Sequence, residues 1–335
     1  MKLYGTVTNC TNLNSISISD SHSSTTAVAT ITCANTTLDI GDYLSIDLGY
    51  TTSHAVVFTG YVKQIDRKTP ENVYTITAYN VLSRAVDFYI VSTNPDAPFS
   101  VSNASAESLV MQVLGLANLT SFNTGTSYIN FGTESPVEVS LISAYDFSKQ
   151  IADMIAWSLW ADTSGVVHFR NRKPFPVDAA YIAAGGESDL STDTAVGSTI
   201  TDSNILNGNY SESNQNLINR VMVYGADGIT SEAKASSPYL PNVGGTFYKT
   251  VLFSDVYLVT NQTVADIVSS YNLLMLNRLG KSLELAIQGD SSRVCRTVCN
   301  INSTELGLNG DWYIFSLNHE WSKAGFITNL TLRVQ

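Results

Sequence analysis

The sequence predicts a mainly β protein with an α+β insertion: two tandem antiparallel β-barrel domains flanking a small α/β domain. Three observations carry this. Both ends of the chain alternate apolar and polar side chains with a period of two, the mark of half-buried antiparallel strands. Gly, Asp, Asn and Pro clusters break those stretches at strand-length intervals. The middle of the chain switches to helical spacing with side-chain caps. The expected domains are residues 1–92 (first barrel), 93–176 (two helices and a hairpin) and 177–335 (second barrel, with a loop-rich start and an outer helix at about 263–279).

From the N-terminus, strands are expected at Ser15–Ser19, Ala27–Cys33, Tyr43–Leu48, Ala55–Arg67 and Val73–Tyr79. Gly60, inside the longest run, suggests a bulge or sharp bend. Val81–Val86 reads as a short helical piece. The breaker cluster Asn94-Pro95-Asp96-Ala97-Pro98 marks a boundary. Ser105 then caps a helix carrying Leu109, Val110, Val113 and Leu114. Ser143, with Asp146 three residues on, starts a second helix with Phe147, Ile151, Met154 and Ile155 on its apolar stripe. Trp157–Ala161, the turn Asp162-Thr163-Ser164-Gly165, and Val166–Arg170 read as a hairpin. Residues 177–216 are poor in large apolar side chains and read as loops with short edge strands. Strands are expected again at Asn219–Tyr224 and Thr246–Val251, and Thr263 with Asp266 starts a third helix.

The last stretch, Lys281–Gln335, carries the clearest alternation. Leu283, Leu285 and Ile287 alternate with Ser282, Glu284 and Ala286. Tyr313, Phe315 and Leu317 alternate with Trp312, Ile314 and Ser316. Phe326, Leu330, Leu332 and Val334 share one face, with Thr328 its one polar member. Turns are expected at Gly289-Asp290, Asn309-Gly310-Asp311 and Lys323-Ala324-Gly325. This stretch should complete the second barrel, with the preceding helix packed on that barrel's outside. The two strand-rich ends are of similar size, which suggests two related barrels.

Composition narrows the function. Charged residues make up only 14 %, and the net charge is −11. Phosphate binding needs clustered Lys and Arg, and the only basic cluster is Arg170, Arg172 and Lys173, read as a loop end or subunit contact. Cys10, Cys33, Cys295 and Cys299 lack zinc-knuckle spacing. They read as reduced, mostly buried thiols, although Cys10 and Cys33 could pair across neighbouring strands. No signal peptide or membrane-length apolar run is visible, and the scattered N-x-S/T triplets arise by chance in a chain this rich in Asn, Ser and Thr.

Local motifs for catalysis fail. His319-Glu320 begins H-E-x-x-H, but position 323 is Lys. Gly280-Lys281-Ser282 mimics the end of a P-loop, yet ends a helix and has Met275 where the first glycine belongs. His22, His54 and His168 lie far apart in sequence, and His319 reads as a hydrogen-bonded structural imidazole. Glu134, Asp153 and Asp162 are carboxylates that a glycosidase could use, since paired acids have no local spacing rule. Trp157, Trp160, Trp312 and Trp321 could line a sugar site, but each lies within a strand or helix pattern, as buried packing residues do. No catalytic, cofactor-binding or metal residue is assigned, and the chain is not expected to be an enzyme.

Several segments, in order, resemble one family. Leu38–Ile46 resembles a "G-D-x-apolar" strand entry. Phe58-Thr59-Gly60-Tyr61-Val62 resembles an "F-x-G-x-V" strand, followed by Tyr74–Tyr79. Ser143–Gly165 resembles the family's middle domain, and Asn219–Gly225 the "N-x-V-x-V-x-G" strand that opens its second barrel. Gly310–His319 with Gly325–Leu330 resembles its "G-x-Y-x-V-x-x-V-x-H … G-x-apolar-T-x-x-L" ending. The family is that of bacteriophage tail baseplate hub proteins of the late-control-protein-D kind, related to the hub portion of contractile injection systems. Pro238–Gly245 and the Ser/Thr/Gly-rich stretch before Asn219 depart from it. The resemblance implies a structural virion protein, assembled in the host cytoplasm: a homotrimer whose tandem barrels form a pseudo-six-fold ring. That ring would join a six-fold tail tube, or a distal tail protein, above to a three-fold central spike below, with other baseplate proteins around it. DNA would pass through its channel without specific binding, as the net negative charge suits. The competing expectation is a carbohydrate-binding or adhesin module of a virion or cell surface.

Overall fold

The computed structural model describes residues 2–91, 99–126, 130–132, 136–155, 157–170, 195, 197–213, 217–235, 248–256, 259, 262–277 and 280–334. Strands dominate, in line with the mainly β expectation. The N-terminal barrel contains β1 (Leu3–Val7), β2 (Cys10–Ser21), β3 (Val28–Thr36), β4 (Tyr43–Tyr50), β5 (Ser53–Lys68) and β6 (Val73–Tyr79), in the order β1-β4-β5-β6-β3-β2. Their inward side chains, among them Ile16, Ile18, Ile31, Leu44, Ile46 and Ile76, form one core. Gly60 does not sit at a bulge; the register shifts fall on either side of it, after Ile46/Phe58 and at Lys63. It is there because its backbone passes close to β6: a Cβ at Gly60 would lie 2.1 Å from the carbonyl oxygen of Tyr79.

α1 (Ser83–Asp87) leads into the insertion. There β7 (Tyr89–Ile90), β8 (Phe99–Val101) and β9 (Ala104–Ser105) precede α2 (Ala106–Leu116), β10 (Phe122–Thr124), β11 (Asn130–Phe131), β12 (Val137–Val139), β13 (Ile142–Ser143), α3 (Ala144–Met154), β14 (Ser158–Ala161) and β15 (Val167–Arg170). Both expected caps form. Ser105 Oγ accepts from Ser108 N at 3.3 Å, and Ser143 Oγ accepts from Asp146 N at 3.0 Å. The apolar stripes of α2 and α3 close over Trp157 and Phe169. The expected hairpin is β14–β15, and β10 joins it in parallel.

The rest of the chain holds β16 (Ile200–Thr201), β17 (Ile205–Glu212), β18 (Arg220–Gly225), β19 (Thr230–Lys234), β20 (Thr250–Val256), α4 (Gln262–Asn277), β21 (Lys281–Gln288), β22 (Val298–Ser303), β23 (Leu308–Ser322) and β24 (Gly325–Val334). Two expectations need correction here. The Asn219 strand, now β18, does not open the second barrel, and the helix expected at 263–279 does not pack on that barrel. β18 is the centre of a separate sheet, β19-β18-β20, with β20 parallel to β18. α4 covers that sheet, and Val221, Val223, Ala265 and Val268 form its own small core. Alternation marks a strand as half-buried but does not say which sheet buries it.

The second barrel runs β16-β22-β23-β24-β21-β17. Taken in chain order, its six strands are connected as in the first barrel: the first pairs with the fourth, and the order onward is fifth, sixth, third, second. Two of the irregularities coincide as well, although the extra residue at Val57 between β4 and β5 has no counterpart between β22 and β23. The fifth strand carries an extra residue at Lys63 in one barrel and Phe315 in the other. The second strand carries one at Asn14 and Leu206, and both fall at the same register across the sheet. Before the fourth strand, Gly41 (φ +92°) and Arg296 (φ +68°) adopt left-handed backbone, and their amides bond Val62 O and Ile314 O, both at 2.9 Å. One difference is that β1 pairs antiparallel with β4, whereas β16 pairs parallel with β22. The Phe315 bulge also corrects the inner face expected of β23. The extra residue shifts the alternation, so Ile314 and Trp312 are buried while Phe315 is half-exposed.

Candidate functional site: the barrel junction and its polar face

The two barrels are one continuous sheet. One edge of β23 is shared: Leu308–Tyr313 pairs with β22, and Ser316–Ser322 pairs with β2 of the first barrel. The changeover is at Phe315, whose carbonyl accepts from His22 N at 2.7 Å. The tip of the β23–β24 hairpin reaches beyond its own barrel. Trp321 and Phe326 are members of the first barrel's core.

Arg296 fastens this junction. Its guanidinium is almost fully buried, donates from Nη1 to Asp20 Oδ2 at 2.8 Å, and donates from Nη2 to the carbonyl of Ser21. Arg293, also buried, donates from Nε to Asp290 Oδ2 at 2.8 Å and from Nη2 to Ser198 O. Asp290 N donates to Thr328 Oγ1 at 3.0 Å, so the Thr328 hydroxyl proton is free to point at His319 Nδ1, 3.0 Å away. Burial pushes the His319 pKa down to about 4.

This has a consequence for acid stability. The unfolded chain takes up a proton on His319 near pH 6.5, while the folded chain resists it until about pH 4. The stabilisation from this site is therefore complete above pH 6.5 and is lost as pH falls toward 4, at a cost of roughly 3 kcal/mol. Denaturant titrations at pH 7 and pH 4 should show a smaller acid loss for His319→Gln than for the parent. Equal losses would mean the imidazole is not the group that titrates.

Asp162, Thr163 and Trp160 of the insertion meet Asp20, Arg293 and Arg296 around a cavity of about 30 Å³. That is room for a water-sized group and far below the roughly 300 Å³ of a small-molecule site. The carboxylates and histidines singled out from sequence are not gathered. Asp162 accepts from His168 Nε2 at 2.9 Å, and burial is outweighed by that bond and two backbone amides, so its pKa is lowered. Asp153 pairs with Lys149, and His54 with Asp47 at 2.9 Å. Glu134, Arg172 and Lys173 lie outside the described residues, and Arg170 donates to Asn123 Oδ1 at 3.3 Å. Trp157, Trp312 and Trp321 are buried in cores, and Trp160 stacks on His168. No tryptophan among the described residues offers the exposed platform a sugar site needs. All four cysteines are free thiols, so Cys10 and Cys33 are not bonded.

What the junction does create is a wide polar face on the side of the sheet away from both cores. One row runs Gln64, Thr77, Thr30, Ser17 and Glu320 across five paired strands. Another runs Ser19, Asn318, Asn329, Ala286 and Asn207. A third ends on Thr331, Glu284 and Asn209. These rows contain Glu284 and Glu320 and no Lys or Arg. On the second barrel, beside β2, the face is hollowed by about 350 Å³, lined by Ser19, Asn207, Asn209, Asn318, Asn329 and Glu284 among others. Sequence reading found the alternation but not this face, because the pairing of β2 with β23 joins residues some 300 positions apart.

A double barrel with a helical insertion, joined through one sheet, is a fold that solved tail proteins share. Among solved structures, a tail protein from Neisseria meningitidis MC58 matches over 100 % of this chain and 97 % of its own, with TM-score 0.72 and 12 % identity. The 43 kDa tail protein of prophage MuSo2 from Shewanella oneidensis matches over 99 % and 98 %, with TM-score 0.70 and 13 % identity. A type VI secretion component of E. coli, c3393, described as structurally similar to T4 tail proteins gp27 and gp5, matches over 99 % and 77 %, with TM-score 0.57 and 7 % identity. No model of a known family matches the chain, and no curated protein matches it by sequence. The chain thus has the fold of phage tail proteins and of related secretion-system components, as the resemblance implied.

Proposed function

We propose that this chain is a structural baseplate hub protein of a tailed phage. Three copies form a ring that joins a six-fold tail tube to a three-fold central spike and encloses the DNA channel. The observation that carries this reading is the internal duplication. Two barrels of one connectivity, with bulges at matching positions and joined in one sheet, can occupy alternate places of a six-fold ring built from three chains. The polar face supports the channel. The three rows, mostly Ser, Thr, Asn and Gln with two carboxylates, offer DNA no cation to hold it. The role is architectural, and neighbouring tube, spike and baseplate proteins are its partners. The mass of the purified chain in solution, with negative-stain images, tests this. A three-chain ring with a channel of DNA width is expected. A stable monomer would overturn the proposal.

A further inference from the structure

The duplication makes a further statement about how such a ring closes. In the first barrel the outer edge of β2 is occupied by Ser316–Ser322 of β23, the free half of the second barrel's fifth strand. The equivalents of both partners are open. β17, the counterpart of β2, pairs only with β21, and its other edge has no strand on it among the described residues. β5, the counterpart of β23, pairs with β4 only up to Tyr61, so among the described residues Gln64–Lys68 has no strand on the edge away from β6.

We infer that β17 of one copy pairs antiparallel with Gln64–Lys68 of β5 in the next copy, repeating between chains the junction that β2 and β23 form within one. This rests on the ring reading above. The bulges fix the register. Lys63 corresponds to Phe315 and Leu206 to Asn14, so the pairing of Ser19 with Asn318 becomes Ser211 with Asp66, and that of Ser17 with Glu320 becomes Asn209 with Lys68.

Two independent features point to the same contact. Ile40 corresponds to Cys295, which is 3 % exposed as a member of the second barrel's core beside the junction cavity, yet Ile40 is 71 % exposed. Leu206 is 61 % exposed at the end of β17, where Asn14 in the first barrel accepts from Lys323 of the β23–β24 turn. Both are large apolar side chains left in water where the other barrel's counterpart is buried or bonded to the neighbouring barrel. Residues 68–72, at the β5–β6 tip, are exposed, whereas the β23–β24 tip sends Trp321 into the neighbouring core. In the ring the β5–β6 tip reaches into the next chain's second barrel in the same way. In this register Glu212 falls opposite Ile65, one diagonal step from Arg67.

The test is paired cysteines in the full chain, Ser211→Cys with Asp66→Cys, under mild oxidation, with mass measured before and after. Closure to a covalent three-chain species that neither single variant gives is the expected result. The pair Ser211→Cys with Ser45→Cys, which puts the second thiol on β4, should not crosslink. A three-chain ring that forms but stays uncrosslinked would overturn the strand pairing and leave the hub reading standing. A ladder of open covalent oligomers would support the pairing and overturn the closed three-chain ring. A chain monomeric at every concentration, uncrosslinked, would overturn both.

Discussion

Arg296→Ala is expected to destabilise the chain by about 3–5 kcal/mol, as seen when one partner of a buried ion pair is removed. The cost has separate sources. The Asp20 carboxylate keeps little solvent contact and loses its ion-pair partner in the junction. The Ser21 carbonyl loses a donor. The packed stem of a side chain nearly shut off from water leaves a void where three parts of the chain meet. Replacing the pair together, Arg296→Met with Asp20→Leu, should recover much of the loss, because no charge is then stranded. Guanidinium titrations of the parent, both single variants and the double variant supply the cycle. A shift below about 1 kcal/mol for Arg296→Ala would show that the pair behaves as a solvated surface bridge.

The second large effect concerns the polar face. Placing lysines at Ser17, Thr30 and Glu284 puts cations on two rows that now have none, and a ring repeats each of them around its channel. The parent ring should release duplex DNA even at low salt. The lysine variant should retain it, with affinity falling as salt rises by a log–log slope of about −0.9 for each phosphate engaged. All three positions are exposed on strand faces, so the fold should tolerate them. Tight DNA binding by the parent, or indifference of the variant, would sink the channel assignment.

Much of this architecture is legible in the residues. Ser105 and Ser143 announce their helices because capping chemistry is local, and each bonds the amide three residues on. Period-two alternation locates β2 to β6 and β21, β23 and β24 because one face of each is buried, and does not locate β22. Misreadings arise where a single residue or a distant partner decides. Phe315 looks like an inward residue, and nothing local marks it as the extra member of a bulge. The Asn219 strand and the third helix look like parts of the second barrel, since a parallel partner 30 residues away, Thr250 opposite Arg220, leaves no local trace. The duplication shows itself in connectivity and bulge position, not in side chains. At matching places stand Gly41 and Arg296, Lys63 and Phe315, Asn14 and Leu206. Arg296 shows what such divergence allows. A backbone kink that glycine adopts freely is held in the second barrel by a side chain bonded across the junction.

The shared edge of β23 also determines how the molecule bears load. Seven residue pairs, Ser15 to Ser21 against Ser322 to Ser316, link the barrels along antiparallel strands. Pulling the barrels apart along the strand direction strains all of these links at once, while peeling across the sheet breaks them one after another. The tip that buries Trp321 and Phe326 in the neighbouring core adds an apolar anchor at the far end of the seam. A body built this way is stiff to traction along one axis and compliant to hinging about another.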